Sequence, residues 1–139
     1  MAYWLFKEEP AHYSFAQLER DGKTLWDGVD NSLARQNLRK VHRGDRILYY
    51  HTSKEKAIVG EMRAVGDSRA DPDSDDDKAV VVEVQAVKRL GHPVPLERIK
   101  GDSQLAGWDL VRLPRLSVVP VTDVQWRRVE ELSKEAESH

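Results

Sequence analysis

The sequence predicts a compact α+β barrel of five or six short strands with small helices between them. Three observations predict it. Short runs rich in β-branched and aromatic residues recur at Tyr3–Phe6, Arg46–His51, Ala57–Val65, Ala79–Val87 and Arg115–Val121. Capped helical segments lie between some of them, but without the strand–helix–strand rhythm of a doubly wound parallel sheet. The 139 residues carry no internal repeat and no linker, so one domain spans 1–139. A chain of this size buries about two-thirds of its unfolded surface and needs no staples.

Tyr3–Phe6 reads as a buried first strand, and Pro10 stops it from continuing as a central strand. Ser14-Phe15-Ala16-Gln17 fits a capping box. It opens a helix with Phe15 and Leu18 on its apolar side, and Asp21-Gly22 ends it. Leu25 and Trp26 lead into a turn at Asp27-Gly28. Asn31 is then an N-cap, because its side chain can accept from an early helix amide. The helix it opens is expected from Ser32 to Val41, with Ala34, Leu38 and Val41 as the apolar stripe and Gly44 as its C-terminal stop.

Arg46–His51 suits an interior strand with both faces buried. In Ala57–Val65, Gly60 marks a bulge or a close backbone approach. Ala79–Val87 alternates, so one face is wet. Pro93 and Pro95 are expected to break the chain before a short helix, Leu96–Lys100, closed by Gly101. Trp108–Leu113 is ambiguous between helix and strand. Arg115–Val121 is the final strand, and Pro120 places it at an edge. Thr122–Gln125 is a second capping box, opening a helix that turns Trp126, Val129 and Leu132 inward. The tail from about Lys134 is expected to fray.

Composition excludes several classes. There is no Cys, hence no disulfide framework and no thiolate zinc site. No apolar run approaches a membrane span, and the N-terminus lacks a signal-peptide core, so a soluble intracellular protein with no membrane partner is expected. With 22 basic against 24 acidic residues, there is no global attraction to nucleic acid. The charge is nevertheless uneven. Arg35 to Arg46 holds five Lys or Arg against one acid, while Asp67 to Asp77 holds six Asp against one Arg. A local basic patch can steer a polyanion on a neutral protein. The acidic run lacks the glycine and terminal glutamate of an EF-hand loop and reads as a solvated, mobile loop.

No Gly-rich phosphate loop, deaminase zinc motif or nucleophile elbow is present. The five His show no metal-ligand spacing. Lys7 with Glu9, joined by Ser53, Thr52 or His51, could form an acid–base group, since a Lys of lowered pKa beside a carboxylate can serve in amide hydrolysis. A surface ion pair is the plainer reading. The densest chemistry lies in Trp26–Asn37: an aromatic, a helix N-terminus that favours anions, and a row of Arg35 and Arg39 whose guanidinium groups match phosphate. Separately these are a core Trp, a structural cap and a solvated helix face. Together they suggest a site for a nucleobase with its backbone.

Six motifs, in order and nearly end to end, resemble the EVE domain family. They are Tyr3-Trp-Leu-Phe-Lys-Glu-Glu-Pro10, Trp26-Asp-Gly-Val29, Asn31 with Ala34-Arg35-Gln36-Asn37-Leu38-Arg39, Gly44-Asp45 with Tyr50-His51, Ile58-Val59-Gly60, and Arg115-Leu-Ser-Val118 with Pro120-Val121. The resemblance implies a PUA-like fold, a mixed β-barrel with flanking short helices. It also implies a non-enzymatic reader of a modified base, either a modified cytosine or a methylated adenine, in DNA or RNA, and no cofactor. Carried over by position, Trp26 would stack on the base. Gly28, Val29 and Asn31 would meet its polar edge, and Arg35 would lie near phosphate. Lys7, Glu9 and Pro10 would form another wall, Arg115 and Ser117 would close the pocket, and His51 would contribute hydrogen bonding. Arg35, Arg39 and Arg43 would displace counterions, so affinity for an oligonucleotide would fall with salt. Two departures bear on this: Glu8 stands where the family has a small hydroxyl, and Asp30 where a basic residue is common.

Two alternatives remain at this stage. One is a hydrolase of a modified nucleoside, as among the ASCH relatives of the fold; the other is a protein–protein interaction module. A bacterial, cytoplasmic, monomeric protein is the expectation.

Overall fold

The computed structural model describes residues 1–135. The first strand, β1 (Tyr3–Glu8), leads into helix α1 (Phe15–Asp21), strand β2 (Lys23–Trp26) and helix α2 (Ser32–Arg39). Strands β3 (Arg46–His51) and β4 (Ala57–Ala64) follow, then β5 (Arg69–Ala70) and the long β6 (Val80–Pro95). Helices α3 (Leu96–Lys100) and α4 (Asp109–Arg112) precede β7 (Val118–Val121) and the closing helix α5 (Asp123–Lys134). Residues 136–139, the end of the tail expected to fray, lie outside the described residues.

Seven strands form one mixed sheet in the order β2-β6-β4-β3-β1-β7, with β5 paired to β6. Only β1 and β3 are parallel. The sheet is strongly wrapped. β2 and β1 stand four places apart in it, about 19 Å if the sheet were flat, yet Trp26 of β2 and Phe6 of β1 bring their ring centroids to 5.3 Å. It is not closed by hydrogen bonds, and with its seven strands and flanking short helices it is the mixed α+β architecture expected. Helix α2 bridges the gap instead: it packs against both β6 and β7, and Asn37 donates to the Val118 carbonyl of the β7 edge (2.8 Å).

The sequence locates most elements, and the differences have physical causes. Pro93 and Pro95 do not end the strand before them; β6 runs to Pro95. Its ladder with β4 jumps from Arg89↔Gly60 to Val94↔Ile58, so residues 90–93 bulge out opposite Val59 and Pro93 needs no ladder partner. The last strand begins at Val118, not Arg115. Helix α2 stops at Arg39 with Lys40 as its cap. Gly44 serves the turn before β3 at φ 92°, where its amide bonds the Ala64 carbonyl.

Both expected capping boxes form. At Gly60, a Cβ would lie 2.5 Å from the Phe15 ring, so only glycine admits α1 this close to β4. Asp45 is buried at 3 % exposure, and its carboxylate accepts from the Ala2 amide, the Trp4 indole and the His42 amide. No helix among the described residues is long and apolar enough to cross a membrane.

Candidate functional site

The parallel pairing of β1 with β3 sets two strand C-termini side by side, Lys7 opposite Tyr50 and Glu8 opposite His51. β7 runs the other way, so the segment before it reaches the same end of the sheet. The Lys7 amide donates to the Ser117 carbonyl (2.9 Å) and the Lys7 ammonium to the Pro114 carbonyl (2.9 Å). Residues 113–117 therefore lie across the strand ends. A cleft opens on each side, with Pro114 in both walls.

The first cleft, about 310 Å³, is lined by Asn31, Leu33, Arg112, Leu113 and Arg115. Leu33 and Leu113 are 43 % and 36 % exposed, giving it apolar walls. Asn31 spends its carbonyl oxygen on the Ala34 amide (3.0 Å), which leaves its side-chain NH₂ as a donor. Arg112 is paired with Asp109 (2.7 Å). Arg115 forms no ion pair among the described residues.

The second cleft, about 300 Å³, is lined by Lys7, Tyr50, Thr52, Ser53, Lys56 and Lys100. The Lys7 ammonium sits 5.7 Å from the Tyr50 ring centroid. Burial pulls the Lys7 pKa down and pushes the Tyr50 phenol up to about 12.

The remaining residues singled out in the sequence sit as follows. Trp26 is 5 % exposed, wedged between Phe6 and Tyr49, and lines neither cleft. Gly28 turns the chain after β2 at φ 74°. The Val29 carbonyl accepts from Arg35 Nε (2.6 Å), and the other end of that guanidinium pairs with Asp76 (2.8 Å). Arg39 donates to the Lys78 carbonyl (2.9 Å). The arginine row of α2 is thus turned onto the acidic loop and its flank.

His51, 7 % exposed, accepts the Phe15 amide at Nε2 (3.0 Å) and meets Glu55 at Nδ1 (2.6 Å). That pairing fixes the Nδ1–H tautomer and staples β3 to α1. Pro10 is half-buried in the turn after β1. Glu9 takes the Ser53 hydroxyl and the Ala11 amide, while Lys7 holds Pro114, so no Lys7–Glu9 ion pair forms. Glu8 is committed to the 9–12 turn through the Glu9 amide (2.9 Å) and His12 (3.3 Å).

Pro114, Leu33, Leu113, Lys56 and Lys100 are lining residues that sequence reasoning did not single out. Leu33 alone carried a signal, an apolar residue off the Ala34/Leu38/Val41 stripe. A wider cleft of about 570 Å³ opens at the opposite strand ends between Arg46, Glu61, Arg63 and Gln85. Its polar groups already satisfy one another: Arg46 with Glu61 (2.8 Å) and Arg63 with Gln85 (3.0 Å).

The EVE domain profile matches residues 2–132. Mouse thymocyte nuclear protein 1 is 32 % identical, the match covering 89 % of this chain and 70 % of that protein. A Rhodopseudomonas palustris protein solved by NMR is 37 % identical with a TM-score of 0.91, covering 100 % of this chain and 97 % of its own. Human THYN1, crystallised with DNA containing 5-methylcytosine, is 27 % identical with a TM-score of 0.90, covering 99 % of this chain and 100 % of its own.

Proposed function

The chain belongs to the EVE domain family, and from that premise we propose that it binds nucleic acid carrying a modified base, in the first instance DNA with a modified cytosine, without catalysing a reaction. The observation that carries this is the first cleft. Leu33 and Leu113 offer apolar walls to a flat ring, the Asn31 amide offers a donor to a base edge, and Arg115 is a cation in the lining with no ion pair among the described residues. Apolar walls with a few convergent polar groups are what a small planar ligand needs. The human relative's complex with 5-methylcytosine DNA supports the same reading.

Trp26 contributes from below. Locked between Phe6 and Tyr49, it fixes where the 27–31 loop leaves the sheet. A base must leave its stack to enter such a cleft, at a cost of a few kcal/mol that favours modified or single-stranded sites. Binding is favoured over hydrolysis because Lys7 and Glu9, the candidate acid–base pair, are each committed to another partner.

The test is fluorescence anisotropy with short oligonucleotides, DNA and RNA, carrying unmodified, methylated or hydroxymethylated cytosine or methylated adenine. Wild type is expected to select one modified base, and Arg115→Ala to lose at least tenfold in affinity while melting at the wild-type temperature. Equal affinity for all strands, or none at low salt, overturns the proposal.

A further inference from the structure

Six of the nine residues that line the second cleft carry a side-chain donor, the others being Leu96, Leu110 and Pro114. Lys7, Lys56 and Lys100 surround it, and none of the three forms an ion pair among the described residues. Thr52 supplies a hydroxyl, and Tyr50, 3 % exposed, lines the wall beneath. The Glu9 carboxylate is bonded to Ser53, one of the lining residues.

The backbone around this cleft is unusual. Ser53 (φ 66°) and Lys56 (φ 46°) are the non-glycine residues at positive φ among the described residues, and both line it. Such conformers are uncommon outside glycine and cluster where a site demands them. The β3–β4 ladder also slips between Tyr49 and Tyr50, which re-aims Tyr50 at the strand end. Three lysines line one cleft, so the arrangement offers a bound anion three cationic donors.

We infer that this cleft seats a phosphodiester group of the strand whose modified base occupies the neighbouring cleft, the two being separated by Pro114. The inference rests on the binding function proposed above and deepens it: Lys7, Lys56 and Lys100 hold the backbone while Asn31 and Arg115 meet the base. Phosphate contacts position a strand and carry no sequence information. The cleft therefore sets affinity and salt dependence, and leaves base preference to its neighbour. A free phosphate monoester presents the same oxyanion chemistry and is distinguished by experiment.

The test compares wild type with Lys56→Gln/Lys100→Gln in salt titrations, using matched oligonucleotides with and without 5-methylcytosine. Each lost contact flattens the slope of log K against log salt by about 0.7 on single strands. The double variant loosens the hold on one phosphodiester group and is therefore expected to lose about 0.7 in slope, with the methylated-to-unmethylated affinity ratio unchanged. Circular dichroism melting confirms the fold. In parallel, amide shifts of residues 52–56 are followed by NMR with the oligonucleotide and with inorganic phosphate. Strong binding with an unchanged slope and unmoved 52–56 amides overturns the phosphate cleft and leaves the binding function standing. No oligonucleotide binding at all overturns both. Shifts with inorganic phosphate alone reassign the cleft to a free phosphate and overturn the strand contact.

Discussion

Arg35 of α2 and Asp76 of the acidic loop are joined by a 2.8 Å ion pair, with Arg35 only 15 % exposed and Asp76 47 %. The same guanidinium holds the Val29 carbonyl, so one side chain ties the acidic loop to the segment that leads to Asn31 of the first cleft. A backbone hydrogen bond from Lys78, together with Arg35, holds the Asp76 carboxyl below its ordinary pKa. The acidic loop thereby occupies the cation that the sequence pattern assigns to phosphate.

Removing that carboxylate should strengthen nucleic-acid binding. Asp76→Asn keeps an oxygen for the Lys78 amide and deletes the charge. Oligonucleotide affinity is expected to rise, and its salt dependence to steepen by about 0.7–0.9 for one added phosphate contact. Stability should change little, because Asp76 itself faces solvent. An unchanged salt slope would mean that Arg35 does not reach the strand.

Trp26→Ala separates support from contact. Deleting a buried Trp costs about 3–5 kcal/mol, and here the ring contacts with Phe6 and Tyr49 go with it. The variant should melt far below wild type, with loss of binding following loss of fold. Arg115→Ala should do the reverse, binding lost and melting unchanged. A stable Trp26→Ala that loses binding would instead make Trp26 a direct contact.

Asp45→Ala should be among the more destabilising polar substitutions. It orphans the buried Trp4 indole N–H together with two backbone amides, and each buried unsatisfied donor costs about 1–3 kcal/mol. Denaturant unfolding should show a lower midpoint with an unchanged slope. A loss under about 1 kcal/mol would mean that water replaces the carboxylate.

These outcomes bear on what was legible in the chain. Elements with local signals were readable: the capping boxes at Ser14 and Thr122 are set by residues three apart, and Arg46–His51 by its composition. β6 was not, because Pro93 is admitted by a bulge that exists only against Val59 of a different strand. The missing closure was not legible either, since α2 fills the gap through Asn37 and the Val118 carbonyl, 81 residues away. The site divides the same way. Asn31 and Arg115, named from family motifs, do line one cleft. Lys56 and Lys100 carry no local signature, because the long β6 strand separates them in sequence and only the fold returns them to one wall. Arg35 and Arg39 read as free because nothing local couples α2 to the acidic loop.

Lys7 gives the sharpest test of function against stability. Its ammonium is held in a partly buried position by the Pro114 carbonyl, with no carboxylate partner among the described residues, and burial lowers its pKa from the ordinary lysine value of 10.5. A depressed lysine pKa means that, between the folded-state value and 10.5, the unfolded chain binds more protons than the folded one. Stability from this group then rises with pH. At neutral pH the buried charge therefore opposes folding. Lys7→Met keeps the stem and removes the charge, so it should melt above wild type at pH 7. Its advantage should shrink as pH climbs through the folded pKa toward 10.5 and vanish above it. The same variant should bind oligonucleotide more weakly, with a flatter salt slope. Thermal melts of both proteins from pH 7 to 11, paired with anisotropy at pH 7, check the two arms together. A Lys7→Met protein that is less stable at every pH would show that the bond to Pro114 outweighs the buried charge, and that Lys7 is kept to pin the 113–117 segment rather than to meet an anion.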